Sequence, residues 1–246
     1  MTPADRPALI LGARSGIARG IAAALAKRGH PLMLAARRAG ELDSDVSDLS
    51  IRYNCTVTAH EFDVLDLDGH AGFLDSLPAT PSIIICAIGV LGDQERDAGD
   101  AQATKLVVDS NYLAPCLFLE QAASRMAQSG GGSIVAIGSV AGDRGRAKNY
   151  VYGSAKAGFA TYISGLRQKY AGSDLHVMTV KPGFVRTAMT EGMDLPGPLT
   201  SDAEPFAERV VSAMEKGRQV YSDLRWRALM AVITHLPERI FMKTKF

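Results

Sequence analysis

The sequence predicts an α/β fold: one doubly wound parallel sheet of about seven strands with helices on both faces. Two observations carry this expectation. Apolar, strand-like runs alternate with helical patterns along the 246 residues. The first such run, Ala8-Leu9-Ile10-Leu11, meets a glycine-rich turn and then a helical pattern. With 47% hydrophobic residues the chain can bury one sizeable core, so a single domain over 1–246 is expected.

The elements follow in order. A strand at 8–12 feeds a helix at 16–28, whose apolar face is marked by Ile21, Ala24 and Leu25. A strand at 31–36 ends in Leu34-Ala35-Ala36-Arg37-Arg38, and the acidic, polar stretch Glu41 to Ser50 covers the second helix and a surface loop. Strands at 56–60 and 82–86 flank a helix at 68–76. A long helical pattern at 101–128 carries a break or bend near Asn111, and a strand at 133–138 precedes a helix at 150–171. After the strand at 175–180, residues 187–201 hold Met189, Met193, Leu195, Pro196, Pro198 and two glycines without periodicity, which is loop composition. A helix at 203–216, a strand at 219–222 and a helix within 224–242 complete the chain. No internal repeat or low-complexity tract is visible.

Composition narrows the function. A formal net charge of +1 gives no broad basic field, so no nucleic-acid partner is expected. Cys55, Cys86 and Cys116 are odd in number and widely spaced, which fits neither a disulfide framework nor a zinc site. They read as reduced thiols of a cytoplasmic protein. The five histidines are scattered away from Cys and carboxylates at ligand spacing, so no metal site is expected. Met1 to Pro7 is short and polar and does not read as a signal peptide.

The chemistry concentrates in Tyr152-Gly153-Ser154-Ala155-Lys156, with Ser139 upstream. Residues four apart share a helix face. A free phenol has a pKa of about 10 and needs a neighbour that stabilises phenolate before it can work near neutral pH. At about 4 Å and an effective dielectric near 20, an ammonium supplies about 4 kcal/mol, so Lys156 is expected to bring Tyr152 toward neutrality. The turn Gly12-Ala13-Arg14-Ser15-Gly16-Ile17-Ala18 offers a second feature, since glycines admit close approach and a helix N-terminus favours phosphate. Singly, each has a structural reading: Ser139 as a strand-end cap, Asn111 as a helix bend, the glycines as an ordinary strand-to-helix turn.

At these residues the chain resembles the single-domain short-chain dehydrogenase/reductase family, whose domain is of the Rossmann type. Gly12, Gly16 and Ala18 match the family's Gly-x-x-x-Gly-x-Gly turn, Asp63-Val64 its adenine-contacting pair, and Asn111 its helix asparagine. Pro182-Gly183 and Thr187 match the segment beside the nicotinamide. The resemblance implies Asn111, Ser139, Tyr152 and Lys156 as catalytic residues. It implies cofactor contacts at Gly12, Arg14, Ser15, Gly16, Ile17, Arg37, Asp63, Val64, Ala87, Gly89, Tyr152, Lys156, Pro182, Gly183, Val185 and Thr187. Hydride would pass between the nicotinamide and a carbonyl or carbinol carbon, Tyr152 exchanging the proton on oxygen and Ser139 polarising it. Lys156 would tune Tyr152 and bind the nicotinamide ribose, and Asn111 would position a water linking Lys156 to solvent. Two departures stand out: Ala18 replaces the third glycine, and Cys86-Ala87-Ile88-Gly89 replaces an Asn-Asn-Ala-Gly stretch. Alanine is tolerated at the first of these. The second removes a structural polar contact. The resemblance also implies a homo-oligomer and a substrate lid at 187–201.

Cofactor choice is read at the end of the second strand. An acid there would accept the ribose hydroxyls of NAD and repel the phosphate of NADP. Ala36 stands in that place, and the Arg37 guanidinium can grip a phosphate with two charge-assisted hydrogen bonds, with Arg14 as a second cation. NADP(H) is therefore expected, with NAD(H) as the alternative. The segment 223–246 is amphipathic: Trp226, Leu229, Met230, Val232, Ile233, Leu236, Ile240 and Phe241 are flanked by Arg225, Arg227, Arg239, Lys243 and Lys245. It is too short to span a bilayer. It suits either an interfacial helix at the inner face of the membrane or a helix packed on the protein's own cleft or on a partner. The tail is similar to that of family members that reduce a 2-keto sugar on a polyprenyl phosphate. A lipid-linked carbonyl, a soluble ketone, acyl or steroid substrate, and a non-catalytic dinucleotide sensor thus stand as the three readings.

Overall fold

The computed structural model describes residues 6–244; the start of the Met1 to Pro7 segment and Lys245 fall outside the described residues. Seven strands form one parallel sheet: β1 (Ala8–Leu11), β2 (Leu32–Ala36), β3 (Val57–Glu61), β4 (Ile83–Cys86), β5 (Gly132–Ile137), β6 (Leu175–Val180) and β9 (Val220–Tyr221). Their order is β3-β2-β1-β4-β5-β6-β9. A central strand buried on both faces reads as an unbroken apolar run, and all four residues of β1 are 0% exposed. Alternate side chains go to opposite faces. Ala8 and Ile10 join the layer of α1 (Gly16–Ala26), α2 (Asp43–Tyr53) and α8 (Ala203–Glu215), while Leu9 and Leu11 join that of α3 (Gly69–Ser76), α6 (Ala114–Gln128) and α7 (Tyr150–Lys169).

The chain leaves β1 in one direction and β4 in the other, so a crevice opens beyond their carboxyl ends. Leu11, the last residue of β1, is paired with Ala35 on one side and Cys86 on the other. The segments that follow all three strands therefore meet at this crevice.

Most expected elements, the interrupted helix at 101–128 among them, lie within a residue or two of their predicted bounds; one helix was not expected, and the expected loop meets strands at its ends. The helix α4 (Gln94–Gly99) has no counterpart in the sequence reading, because its six residues bury only Asp97 and show no apolar face. The long pattern at 101–128 is two helices, α5 (Ala101–Val108) and α6, joined by a π-helical turn at Asp109–Leu113 that holds Asn111. The expected loop 187–201 is bracketed by a parallel pair, β7 (Phe184–Arg186) and β8 (Thr200–Asp202), whose three-residue strands are too short for periodicity to reveal.

The C-terminal segment forms α9 (Leu224–His235) and α10 (Glu238–Phe241). Its apolar residues are spent largely on the protein itself. Trp226, Met230 and Ile233 are buried and cluster with Val140, while Phe184, Leu199, Leu229 and Phe241 pack around them. Arg144 ties the far end down, donating to the carbonyls of Thr234 and Leu236, pairing with Glu238 and lying over the Phe241 ring at 4.3 Å. Leu224, Val232, Ile240 and Met242 remain exposed.

Candidate active site

The floor of the crevice is the turn from β1 to α1. Gly12 adopts φ +74°, and a Cβ there would also stand 2.9 Å from the Ala87 carbonyl oxygen. Only glycine suits both demands. Ser15 caps α1, its Oγ accepting from the Ala18 amide at 3.1 Å. Gly16 and Ile17 begin the helix and line the cleft, where first-turn N–H groups have no intrahelical acceptor. This is a cradle for a phosphate. Arg14 and Ser15 stand at its rim, and Thr187 closes over Gly16, whose Cβ would meet the Thr187 methyl at 2.7 Å.

Ala87 and Gly89, after β4, line one wall, and Pro182, Gly183 and Val185, after β6, line the other. Gly12 lies beneath the floor, while Arg37 stands exposed at the end of β2. Asp63 and Val64 follow β3: the Asp63 carboxylate accepts from the Leu65 amide, and Val64 is buried with its carbonyl engaged by His70. Arg14, Ser15, Gly16, Ile17, Ala87, Gly89, Pro182, Gly183, Val185 and Thr187 thus line one cleft, while Arg37, Asp63 and Val64 follow neighbouring strands and do not line it.

Ser139, Tyr152 and Lys156 converge on the same cleft. Ser139 follows β5 with an extended backbone, and its side chain shares the cleft with Tyr152 while accepting from the Ala141 amide at 3.1 Å. Lys156 is 3% exposed and donates from Nζ to the carbonyls of Ile137 at 3.1 Å and Ile88 at 3.4 Å. Asn111 is fully buried, its Nδ2 donating to Val90 and Val107 carbonyls at 2.7 and 2.9 Å. Its Oδ1 has no hydrogen-bond partner among the described residues. A Cβ at residue 89 would stand 2.6 Å from that oxygen and 3.2 Å from Lys156 Nζ, so Gly89 keeps the space between them open.

The electrostatics correct one expectation. Burial pushes the Tyr152 phenol up to about 12, against the opposing effects of the Ser139 hydrogen bond and the Arg146 charge. Lys156 does not bring it toward neutrality. Its Nζ is 5.8 Å from the Tyr152 ring centroid and turned to carbonyl oxygens, and burial pushes its own pKa down to about 8. Desolvation outweighs the charge pair in this arrangement.

Cys55, Cys86 and Cys116 are free, and among the described residues no group of acids, histidines and cysteines could hold a metal. Among the described residues no helix is long and apolar enough to cross a membrane. Three contributors were not foreseen. Ile88 and Ile137 act through main-chain carbonyls, which leave no trace in residue identity, and Arg146 reaches Tyr152 across an irregular loop.

The chain is similar in sequence and fold to known proteins. A family model described as short chain dehydrogenase matches residues 6–195. An uncharacterized oxidoreductase of Mycobacterium tuberculosis is 39% identical over 217 residues, covering 87% of this chain and 86% of the relative. The structure of a short-chain dehydrogenase from Sphingobium yanoikuyae in complex with NADPH superposes with a TM-score of 0.80 at 26% identity, covering 95% of this chain and 97% of the other. The bulky-bulky ketone specific alcohol dehydrogenase from Comamonas testosteroni gives a TM-score of 0.77 at 26% identity over 96% of both chains.

Proposed function

The chain belongs to the short-chain dehydrogenase family and is an oxidoreductase, and from that premise we propose that it is an NADP(H)-dependent reductase of a ketone. The observation that carries the reading is the convergence of Ser139 and Tyr152 on one glycine-floored cleft, with Lys156 buried one turn along the Tyr152 helix. When bound, the cofactor supplies the hydride. Gly12, Ser15, Gly16 and Ile17 hold its phosphates, Asp63 and Val64 the adenine, and Lys156 the nicotinamide ribose. Ala87, Gly89, Pro182, Gly183, Val185 and Thr187 flank the nicotinamide half.

Ser139 orients the substrate oxygen, and Tyr152 gives it a proton. A phenol held near 12 stays protonated through neutral pH, which suits proton delivery during reduction; oxidation needs the phenolate and should accelerate as pH rises. Asn111 Oδ1 holds a water that links Lys156 to solvent, in keeping with its unfilled acceptor position beside Gly89.

Arg37 supports NADP(H). It is exposed, beside the small Ala36, and has no ion-pair partner among the described residues. Arg37→Ala is expected to weaken NADPH binding by about 1.5 to 3 kcal/mol, the worth of hydrogen bonds to a charged group, and to leave NADH within about twofold. Calorimetric titration of both nucleotides checks this, and equal wild-type affinities would contradict it.

A second reading names the ketone as a 2-keto sugar on a polyprenyl phosphate, as for the reductase subunit of decaprenylphosphoryl-ribose 2'-epimerase, which the tail resembles. It is supported by Leu224, Val232, Ile240 and Met242, exposed in the same segment as the exposed Arg225, Arg227, Arg239 and Lys243, a pattern suited to peripheral contact with an anionic membrane. The buried Trp226, Met230 and Ile233 support a soluble ketone, with α9 as a cleft wall. NADPH oxidation measured against soluble ketones and a polyprenyl-linked keto sugar separates the two. A folded protein that binds NADPH and turns over no carbonyl would instead be a dinucleotide sensor.

A further inference from the structure

Two arginines at the adenosine end of the cleft share one carboxylate. Glu41 pairs through Oε2 with Arg14 of the glycine turn and through Oε1 with Arg38 at 3.0 Å. The backbone fixes this arrangement. Arg38 sits at φ 58°, and the Glu61 carboxylate accepts the amides of Arg38 at 2.8 Å and Ala39 at 2.7 Å. That turn begins a short helix at Ala39–Leu42, which is pinned by Leu42 at 0% exposure and carries Glu41.

We propose that Glu41 is a specificity-determining residue whose carboxylate occupies the Arg14–Arg38 cation pair and so competes with the 2′-phosphate of NADP(H), tempering the preference for it over NAD(H). The proposal rests on the NADP(H) reading above. Arg14 lines the cleft and reaches Glu41, so a phosphate seated on Arg37 comes within range of the same charges. A phosphate monoester carries about −1.5 to −2 at neutral pH. It must displace the carboxylate or lie beside it, and either costs affinity. A ribose hydroxyl is neutral and bears no such cost. The effect is therefore confined to the phosphorylated nucleotide. Its size is that of exposed ion pairs, each worth up to about fivefold in an equilibrium.

The test is calorimetric titration of NADPH, NADH, 2′,5′-ADP and 5′-AMP into the wild type, Glu41→Gln and Arg37→Ala. Glu41→Gln is expected to tighten NADPH and 2′,5′-ADP about three- to tenfold, leave NADH and 5′-AMP within about twofold, and lose most of that gain at high salt. Glu41→Asp, too short to span both arginines, should fall between. Unchanged NADPH affinity in Glu41→Gln overturns the proposal. Weakened NADH and 5′-AMP binding also overturns it, because Glu41 would then be a ribose acceptor. If Arg37→Ala leaves NADPH binding intact, the NADP(H) reading itself fails; if Arg37→Ala weakens it and Glu41→Gln does not tighten it, only the Glu41 proposal fails.

Discussion

Tyr152→Phe is expected to lower kcat for carbonyl reduction by about a hundredfold or more, while NADPH affinity stays within a few fold. The phenol hydroxyl stays protonated at neutral pH and lines the same cleft as Ser139. Removing it deletes the acid and leaves the ring, so the packing against the helix survives. Loss of Lys156 should differ, weakening both turnover and NADPH binding, because a buried ammonium beside the proposed nicotinamide site acts on both. Single-turnover rates and nucleotide titrations of the two variants separate these effects. A Tyr152→Phe enzyme with more than about a tenth of wild-type rate would remove Tyr152 from the acid role and shift attention to Arg146, whose charge acts on the same phenol.

The sheet was legible because its central strands are apolar runs bounded by turn residues, the edge strand Val57–Glu61 being more polar, and the crossover rule then fixes a parallel order. The glycine turn was legible because close approach and a positive φ at Gly12 select one residue type. What the sequence hid has physical causes. Gln94–Gly99 is a helix held by its Asp93 cap and by Asp97 within a polar segment, so hydrophobic periodicity carries no signal for it. The Tyr152 pKa depends on how deeply the phenol sits and on where the Lys156 ammonium turns, and neither is encoded in a four-residue spacing. The shared carboxylate of Glu41 arises from a left-handed residue at Arg38 that brings separate segments together. Trp226 was visible as an apolar residue among basic ones, a pattern that a membrane surface and the protein's own cleft satisfy equally well.

Trp226→Ala is expected to destabilise the protein by about 3 to 5 kcal/mol, the cost of truncating a buried aromatic. In a domain of this size that lowers Tm by roughly 6 to 20 °C. The indole is 2% exposed, donates from Nε1 to the Leu199 carbonyl at 2.7 Å and meets the Phe184 ring at 5.3 Å in a T-shaped contact. It lies so close to the chain that a Cβ on Gly183 would stand 1.9 Å from its ring atoms. Leu199 closes the proposed lid, and Gly183 borders the proposed nicotinamide site. Loss of the indole should therefore raise KM for the carbonyl substrate more than Kd for NADPH. Trp226→Phe, which keeps a ring and loses the Nε1 bond, should cost only about 1 kcal/mol beyond its smaller packing. Because Trp226 is the sole tryptophan, wild-type fluorescence reports on it alone, and a blue-shifted emission poorly quenched by acrylamide is expected. An anchor built on this indole predicts the opposite set: an unchanged Tm, a quenchable emission, and loss of sedimentation with anionic vesicles in Trp226→Ala. If that set is observed, α9 leaves the cleft to bind a membrane and the lipid-linked substrate becomes the leading reading; if Tm falls with vesicle binding unaltered, α9 is a wall of the substrate site and any membrane contact belongs to the exposed Leu224, Val232, Ile240 and Met242.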